Sequence, residues 1–208
     1  MKKLEQIDEL GIFTQSVSDQ KSNLHFQELI KLSDLSRRED KPLIIQGGFA
    51  VDLAVGYLSR KHDDLDLLVL REDLGYFKEF LVKEGYEITL HEGMDGEWAF
   101  NAYKYFPEIE DRVYIDFDGI EIAGEVVADG EGRNKYVWPM AKSELFWERK
   151  VAGSVISFLS PYVVYMFKKK QQSTDKVRDK EGFDFSILEK MYPDINVRSD
   201  SNLLSKSR

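Results

Sequence analysis

Apolar positions recur along this chain at two alternating periods. From Ser22 to Arg38, residues Leu24, Phe26, Leu29, Ile30, Leu32 and Leu35 fall at helical spacing and predict an amphipathic helix. REDKP ends that pattern, and LIIQ follows as a short strand expected to stop at Gly47-Gly48. Val51, Ala54, Val55 and Leu58 share one face of a short helix expected from Ala50 to Leu58. LDLLVL reads as a strand. REDLGYFKEFLVKEGYE reads as a helix with Leu74, Phe77, Phe80 and Leu81 inward and Gly85 at its stop. Alternation broken by glycines between Ile88 and Val127 predicts antiparallel strands, with a hairpin around Asp118-Gly119 and a further turn in ADGEGRNKY. Beyond VWP the pattern turns helical. MAKSELFWERKVAG comes first, then SPYVVYMFKKKQQ with Ser160 as N-cap and Pro161 at the first helical position, then EGFDFSILEKMY. The expected organisation is an α/β part over residues 1–140, a helical part over 141–198 and a frayed tail over 199–208.

Composition narrows the class. The 208 residues suffice for one large domain or two small ones, and 42% hydrophobic with 12% aromatic content is that of a globular chain. No apolar run reaches about 18 residues, and the start MKKLEQIDELGIF lacks an apolar leader core, so neither a membrane span nor a secretory signal is expected. The absence of cysteine excludes disulfides, thiolate metal sites and thiol nucleophiles, and makes a cytoplasmic location the default. A formal net charge of −9 disfavours nucleic acid as a partner and favours cationic small molecules. With three histidines and no cysteine, a metal site would be built from oxygen ligands, which suits Mg²⁺ or Mn²⁺ better than zinc or copper.

The stretch HDDLD, at the mouth of the apolar strand, carries the chemistry. Burying a carboxylate without a partner costs on the order of several kcal/mol, so packing explains it poorly and a bound cation explains it well. As strand residues, Asp64 and Asp66 project from one face while Leu65, Leu67 and Val69 project from the other. Such a pair fits two-metal sites that clamp phosphates for in-line displacement. Upstream, strand–Gly–Gly–helix leaves a helix N-terminus open to phosphate. Asp63 has the wrong parity for the pair and reads as solvated. Asp52 is open between meeting an acceptor and stabilising its helix N-terminus, and His62 is open between a site role and a loop hydrogen bond. DFDGIEI lacks the full spacing of a calcium loop. Trp98, Trp138 and Trp147 are expected in the core.

GGFAVDLAVGYLSRKHDDLDLLV resembles the signature of nucleotidyltransferases with the DNA polymerase β-type core, above all the lincosamide and aminoglycoside adenylyltransferases. In these, GG-(aromatic)-A-(apolar)-D precedes R-x-H-x-D-(apolar)-D. The resemblance implies an α+β fold: a polymerase β-like core whose mixed sheet is flanked by helices, with a C-terminal helical part. It implies that Gly47 and Gly48 cradle a triphosphate, that Asp64 and Asp66 bind metal, and that Arg60 and His62 are the flanking basic positions. LSPYVVYMFKKK is similar to the family's Ser-Pro-initiated helix and puts its inward lysine at Lys168. RDKEGFDFSIL resembles the R-x-K-D-x-x-D element, giving Arg178, Lys180, Glu181 in place of the usual aspartate, and Asp184. The family's third carboxylate falls on Asp116, in VYIDF. Asp118 shares that face but is better explained by the Asp-Gly turn.

The function so implied is transfer of a nucleoside monophosphate, AMP from ATP or another nucleoside triphosphate, to a hydroxyl of a small molecule such as an aminoglycoside or lincosamide. Mg²⁺ or Mn²⁺ would be held by Asp64, Asp66 and Asp116, with Asp116 helping to take the acceptor's proton. Lys168, Arg178 and Lys180 would offset the charge of the departing pyrophosphate. Two alternatives keep the fold: a protein hydroxyl as acceptor, as in antitoxin-type adenylyltransferases, or a non-catalytic nucleotide-binding protein. The intact pair of mutually repelling aspartates argues against the second. No nucleic acid or membrane partner is expected, and an oligomer is left open.

Overall fold

Three short apolar segments set the architecture. The structure, a computed structural model, describes residues 19–90, 98–124, 126–129, 136–137, 142–172, 179–198 and 205–206. In chain order, helix α1 (Gln20–Arg38) leads to β1 (Leu43–Ile45), α2 (Gly47–Val55) and β2 (Asp64–Leu70). A single 3₁₀ turn (Arg71–Asp73) then opens α3 (Leu74–Lys83), which is followed by β3 (Glu87–Thr89), β4 (Ala99–Phe106) and β5 (Asp111–Ala123). Next come β6 (Val126–Asp129), β7 (Tyr136–Val137), α4 (Lys142–Leu145), β8 (Phe146–Val151) and β9 (Ser154–Leu159). The chain continues through α5 (Pro161–Gln172), α6 (Asp179–Met191), α7 (Ile195–Arg198) and β10 (Ser205–Lys206).

All ten described strands form one mixed sheet in the order β10-β7-β6-β5-β2-β1-β9-β8. β4 pairs with the first part of β5, and β3 with β4. The β2–β5 and β1–β9 pairs are parallel, and their neighbours are antiparallel. The fold is therefore α+β, as the resemblance implied. β1 and β2 are central strands, which explains their near-continuous apolar run. One face of the central strands carries Leu65, Leu67, Val69, Val113, Ile115 and Phe117, all fully buried. Phe77 of α3 meets Phe117 there at 5.7 Å between ring centres. No described helix is long and apolar enough to cross a membrane.

Three local expectations are corrected. No hairpin turns at Asp118-Gly119: β5 runs straight through both residues. The glycine is needed for close packing instead, because a Cβ there would lie 2.9 Å from Leu74 Cδ1. MAKSELFWERKVAG is not one helix. It makes a single helical turn, α4, and then β8, which folds back on β9 through Ala152 and Gly153. Both residues have positive φ, 49° and 85°, the two-residue turn whose twist matches the paired strands. Finally, α2 begins on the glycines, three residues earlier than expected, and stops at Gly56 in the left-handed region (φ 95°) rather than reaching Leu58. The Ser160 carbonyl accepts from the Val163 and Val164 amides, but its buried hydroxyl has no hydrogen-bond partner, so Ser160 opens the helix through its backbone and not as a side-chain cap. Trp147 packs edge-on to Phe158, Tyr162 and Tyr192, as a core residue should. Trp98 is buried under the Arg71 guanidinium. The ADGEGRNKY turn apart from Ala128, Asp129 and Tyr136, Trp138, and the tail over 199–208 apart from β10 lie outside the described residues.

Candidate active site

Parallel pairing of β2 with β5 sets Asp66 directly opposite Asp116. Asp64 lies two residues before Asp66 on the same face. One carboxylate oxygen from each of Asp64, Asp66 and Asp116 falls within 4.8 Å of the others. The three side chains are half-buried, and their mutual repulsion is evident at Asp66. Burial, then the charges of Asp64, Asp116 and Asp118, push its carboxyl up to about 7, with Lys168 pulling the other way. An all-carboxylate donor set of this kind fits a hard divalent cation. Asp63, of opposite parity, is exposed, 3.9 Å from Lys180 Nζ. Asp118 faces the same side one step further along β5, where its Oδ2 accepts from Gln46 Nε2 at 2.9 Å.

The two glycines are explained by what lies beside them. Gly47 has φ +62°, and a Cβ on it would lie 1.8 Å from Asp66 Oδ2. A Cβ on Gly48 would lie 2.4 Å from Arg60 Nη2 and 2.7 Å from His62 Nδ1. Only bare backbone lets the N-terminus of α2 rest against both the carboxylates and the basic pair. The first-turn amides of a helix have no intrahelical acceptor and carry positive partial charge, so this terminus can receive an anion. Gly47→Ala is expected to displace the Asp66 carboxylate, which a Cβ there would overlap, and to lower the melting temperature. Helical content should be unchanged, as a circular dichroism spectrum alongside a melt would show.

Behind the glycines runs a buried polar network. Asp184 of α6 is fully buried and accepts from Arg60 Nε (2.8 Å) and Nη2 (3.1 Å), while Lys168 Nζ of α5 lies 2.7 Å away. Burial disfavours the charged carboxylate, but Arg60 and Lys168 hold it below the ordinary range. The same contact, against the cost of its own burial, raises Arg60. His62 is buried: its Nε2–H donates to Asp52 Oδ2 at 2.5 Å, and its ring stacks on Phe49 at 4.0 Å. Arg60 Nη1 lies 3.4 Å from His62 Nδ1 on the other side of the ring. Asp52 Oδ1 accepts from the amide and hydroxyl of Ser59. Asp52 thus braces the loop after α2, which neither reading of it from sequence anticipated.

Between these groups is a cavity of about 260 Å³ lined by Gln46, Gly47, Gly48, Asp66, Lys168 and Lys180 among others. The structure therefore brings together Gly47, Gly48, Arg60, Asp64, Asp66, Lys168 and Lys180, with Asp116 completing the carboxylate cluster. Arg178 and the side chain of Glu181 lie outside the described residues. The organising place of Asp184 and the Gln46–Asp118 contact were not foreseen. The only sequence signal for the first was the final aspartate of RDKEGFD.

Comparisons with known proteins bear on the family and the fold. A model of the family described as aminoglycoside-2''-adenylyltransferase matches residues 28–188. No curated protein sequence matches the chain. Among solved structures, the lincomycin-bound lincosamide antibiotic adenylyltransferase LnuA is similar with TM-score 0.61 and 21% identity, over 78% of this chain and 95% of that one. ANT(2'')-Ia in complex with adenylyl-2''-tobramycin is similar with TM-score 0.62 and 18% identity, over 85% and 94%. An antigenic nucleotidyltransferase-like protein from Paracoccidioides brasiliensis gives 0.54 and 16%, over 83% and 77%. At such identities the structures speak for the fold, while the family match spans most of the sequence. Sheet, carboxylate cluster and family match converge: the chain is a nucleotidyltransferase and belongs to the aminoglycoside-2''-adenylyltransferase family.

Proposed function

We propose that the protein transfers AMP from ATP to a hydroxyl of a small cationic antibiotic of the aminoglycoside or lincosamide type. The observation that carries this reading is the Asp64–Asp66–Asp116 cluster set against the bare N-terminus of α2. The net charge of −9 supports a cationic acceptor rather than nucleic acid. Lincomycin and adenylyl-tobramycin are the ligands of the two similar adenylyltransferases.

In this reading the α2 amides bind the triphosphate, and Lys168 and Lys180, with Arg178, balance its charge. Arg60 lines the same cavity and holds Lys168 indirectly through Asp184. Asp64, Asp66 and Asp116 would hold Mg²⁺ or Mn²⁺, which supplies polarisation of phosphoryl oxygens and neutralisation of developing charge. The acceptor hydroxyl, positioned on the Asp116 side of the cluster, passes its proton to a carboxylate there. Its oxygen forms a bond to the α-phosphorus as the bond to pyrophosphate breaks. Pyrophosphate departs on the lysine side.

Thermal melts with Mg²⁺ and ATP test the donor site. At about 100 times the dissociation constant, nucleotide should add roughly 2.7 kcal/mol, a rise of several degrees for a chain of this size. The rise should require the metal. Absence of any shift with all four common nucleoside triphosphates would sink the reading.

A further inference from the structure

Arg149 of β8 is a buried cation with no opposite charge beside it among the described residues. It is 6% exposed, and its Nε and Nη1 have no hydrogen-bond partner there. Its chain neighbours Glu148 and Lys150 are exposed, while Arg149 points inward from a strand at the edge of the sheet. Burial pulls its guanidinium below the ordinary value, with Tyr192 pulling the other way. An ion taken out of water without a counter-ion destabilises a fold strongly, so packing accounts poorly for an arginine here.

What Arg149 does face is the end of a helix. Its Nη2 lies 3.4 Å from the Ala54 carbonyl, which also accepts from the Tyr192 hydroxyl at 3.0 Å. Ala54 is in the last turn of α2, where carbonyls lack an intrahelical amide and carry negative partial charge. The helix is nine residues, roughly 13 Å, long. Its other end is Gly47-Gly48, packed against Asp66 on one side and Arg60 and His62 on the other. Every residue of α2 after Gly47 is buried, so little water lies between the two ends to screen one from the other.

We infer that Arg149 is a positioning residue for the nucleotide that acts through α2. Its charge offsets the carbonyl end of the helix, so that the amide end at Gly47 and Gly48 dominates the field at the phosphate cradle. The inference rests on the transfer reading above and adds to it a residue outside the lining of the 260 Å³ cavity. It explains why a charge stands where the fold gives it no counter-ion. Arginine suits the place, because a guanidinium keeps its proton on burial where a lysine readily loses one.

The test is calorimetric titration of a non-hydrolysable ATP analogue into the full chain with Mg²⁺, alongside melts without ligand. Arg149→Met removes both charge and donor, and Arg149→Gln keeps a donor for the Ala54 carbonyl. Both are expected to bind the analogue about fivefold more weakly. A unit charge at roughly 13 Å and an effective dielectric of about 20 shifts the affinity for one ligand charge nearly tenfold, and solvent in the open cavity reduces that. Arg149→Met should nevertheless melt no lower than wild type, since the uncompensated charge is gone. Tyr192→Phe removes the neutral partner of the same carbonyl and should stay within about twofold of wild-type affinity. Unchanged affinity in both arginine variants overturns the inference, whether they melt lower, as loss of a packing residue would make them, or self-associate, as loss of a guard on the edge strand would. So does weaker binding joined to a lower melt in Arg149→Met, because α2 would then be damaged rather than discharged. Equal weakening by Tyr192→Phe overturns it too, since the hydrogen bond and not the charge would be acting. A wild type that binds no analogue fails the transfer reading itself, a result distinct from wild-type binding that the variants leave untouched.

Discussion

Asp66→Asn is expected to abolish nucleotidyl transfer and, in the absence of metal, to make the protein more stable. Asp66 is held among Asp64, Asp116 and Asp118, and burial and those charges raise its carboxyl to about 7. An ordinary carboxyl titrates near 3.9. Between these values the folded chain binds the proton that the unfolded chain releases, so folding stability falls as pH rises through that window and stays low above it. Each pK unit is worth about 1.4 kcal/mol, which makes the penalty above pH 7 a few kcal/mol, shared across the cluster. Asparagine removes it. Melts in chelator should therefore converge near pH 4 and separate by several degrees at pH 8, with the variant higher. Adding Mg²⁺ and ATP should reverse the order, because only the wild type gains a cation. Identical pH profiles for the two proteins would show that the cluster stores no repulsion, and the argument for a metal there would lose its base.

That repulsion is also what made the site legible in the sequence. HDDLD has no packing rationale, and strand parity alone assigned Asp64 and Asp66 to one face and Asp63 to the other, as found. Helices α1, α3 and α6 were legible for the usual reason, sustained apolar spacing with a stop. What failed were local signals whose meaning depends on a distant partner. Asp118-Gly119 looks like a turn, but Leu74 at the start of α3, the Trp98 carbonyl and the Arg71 backbone lie against it, and the glycine serves that close approach. FWERKV carries helix-compatible residues, and only the Ala152-Gly153 turn, closed by pairing with β9, makes it a strand. RDKEGFD marked Asp184 itself, but nothing local pointed to its partner Arg60, 124 positions away. The Asp52–His62 pair had no local sign, because ten positions separate its members across a loop.

Asp184→Ala is expected to cost the most stability of any single change in this region. The carboxylate is fully buried and is the shared partner of Arg60 and Lys168, so its loss leaves two cations facing each other in a partly closed cavity. Breaking a buried pair by removing one partner costs about 3–5 kcal/mol. At about 2–4 °C per kcal/mol for a chain of this length, that is a fall of roughly 10 °C. Its pH signature is opposite to that of Asp66. Arg60 and Lys168 depress the Asp184 carboxyl, so its contribution is present above the unfolded carboxyl range and is lost only as pH falls below it. The variant's deficit should accordingly be flat from pH 5 to 8. Adding Lys168→Met should recover part of the loss, a coupling readable in a double-mutant cycle. Mg²⁺ with ATP should stabilise the single variant by more degrees than wild type, since phosphate can answer the two cations that Asp184 no longer answers. A fall under about 2 °C, which is less than 1 kcal/mol for a chain of this length, or melting temperatures that simply add in the cycle, would mean that Asp184 is not what holds the basic side of the site.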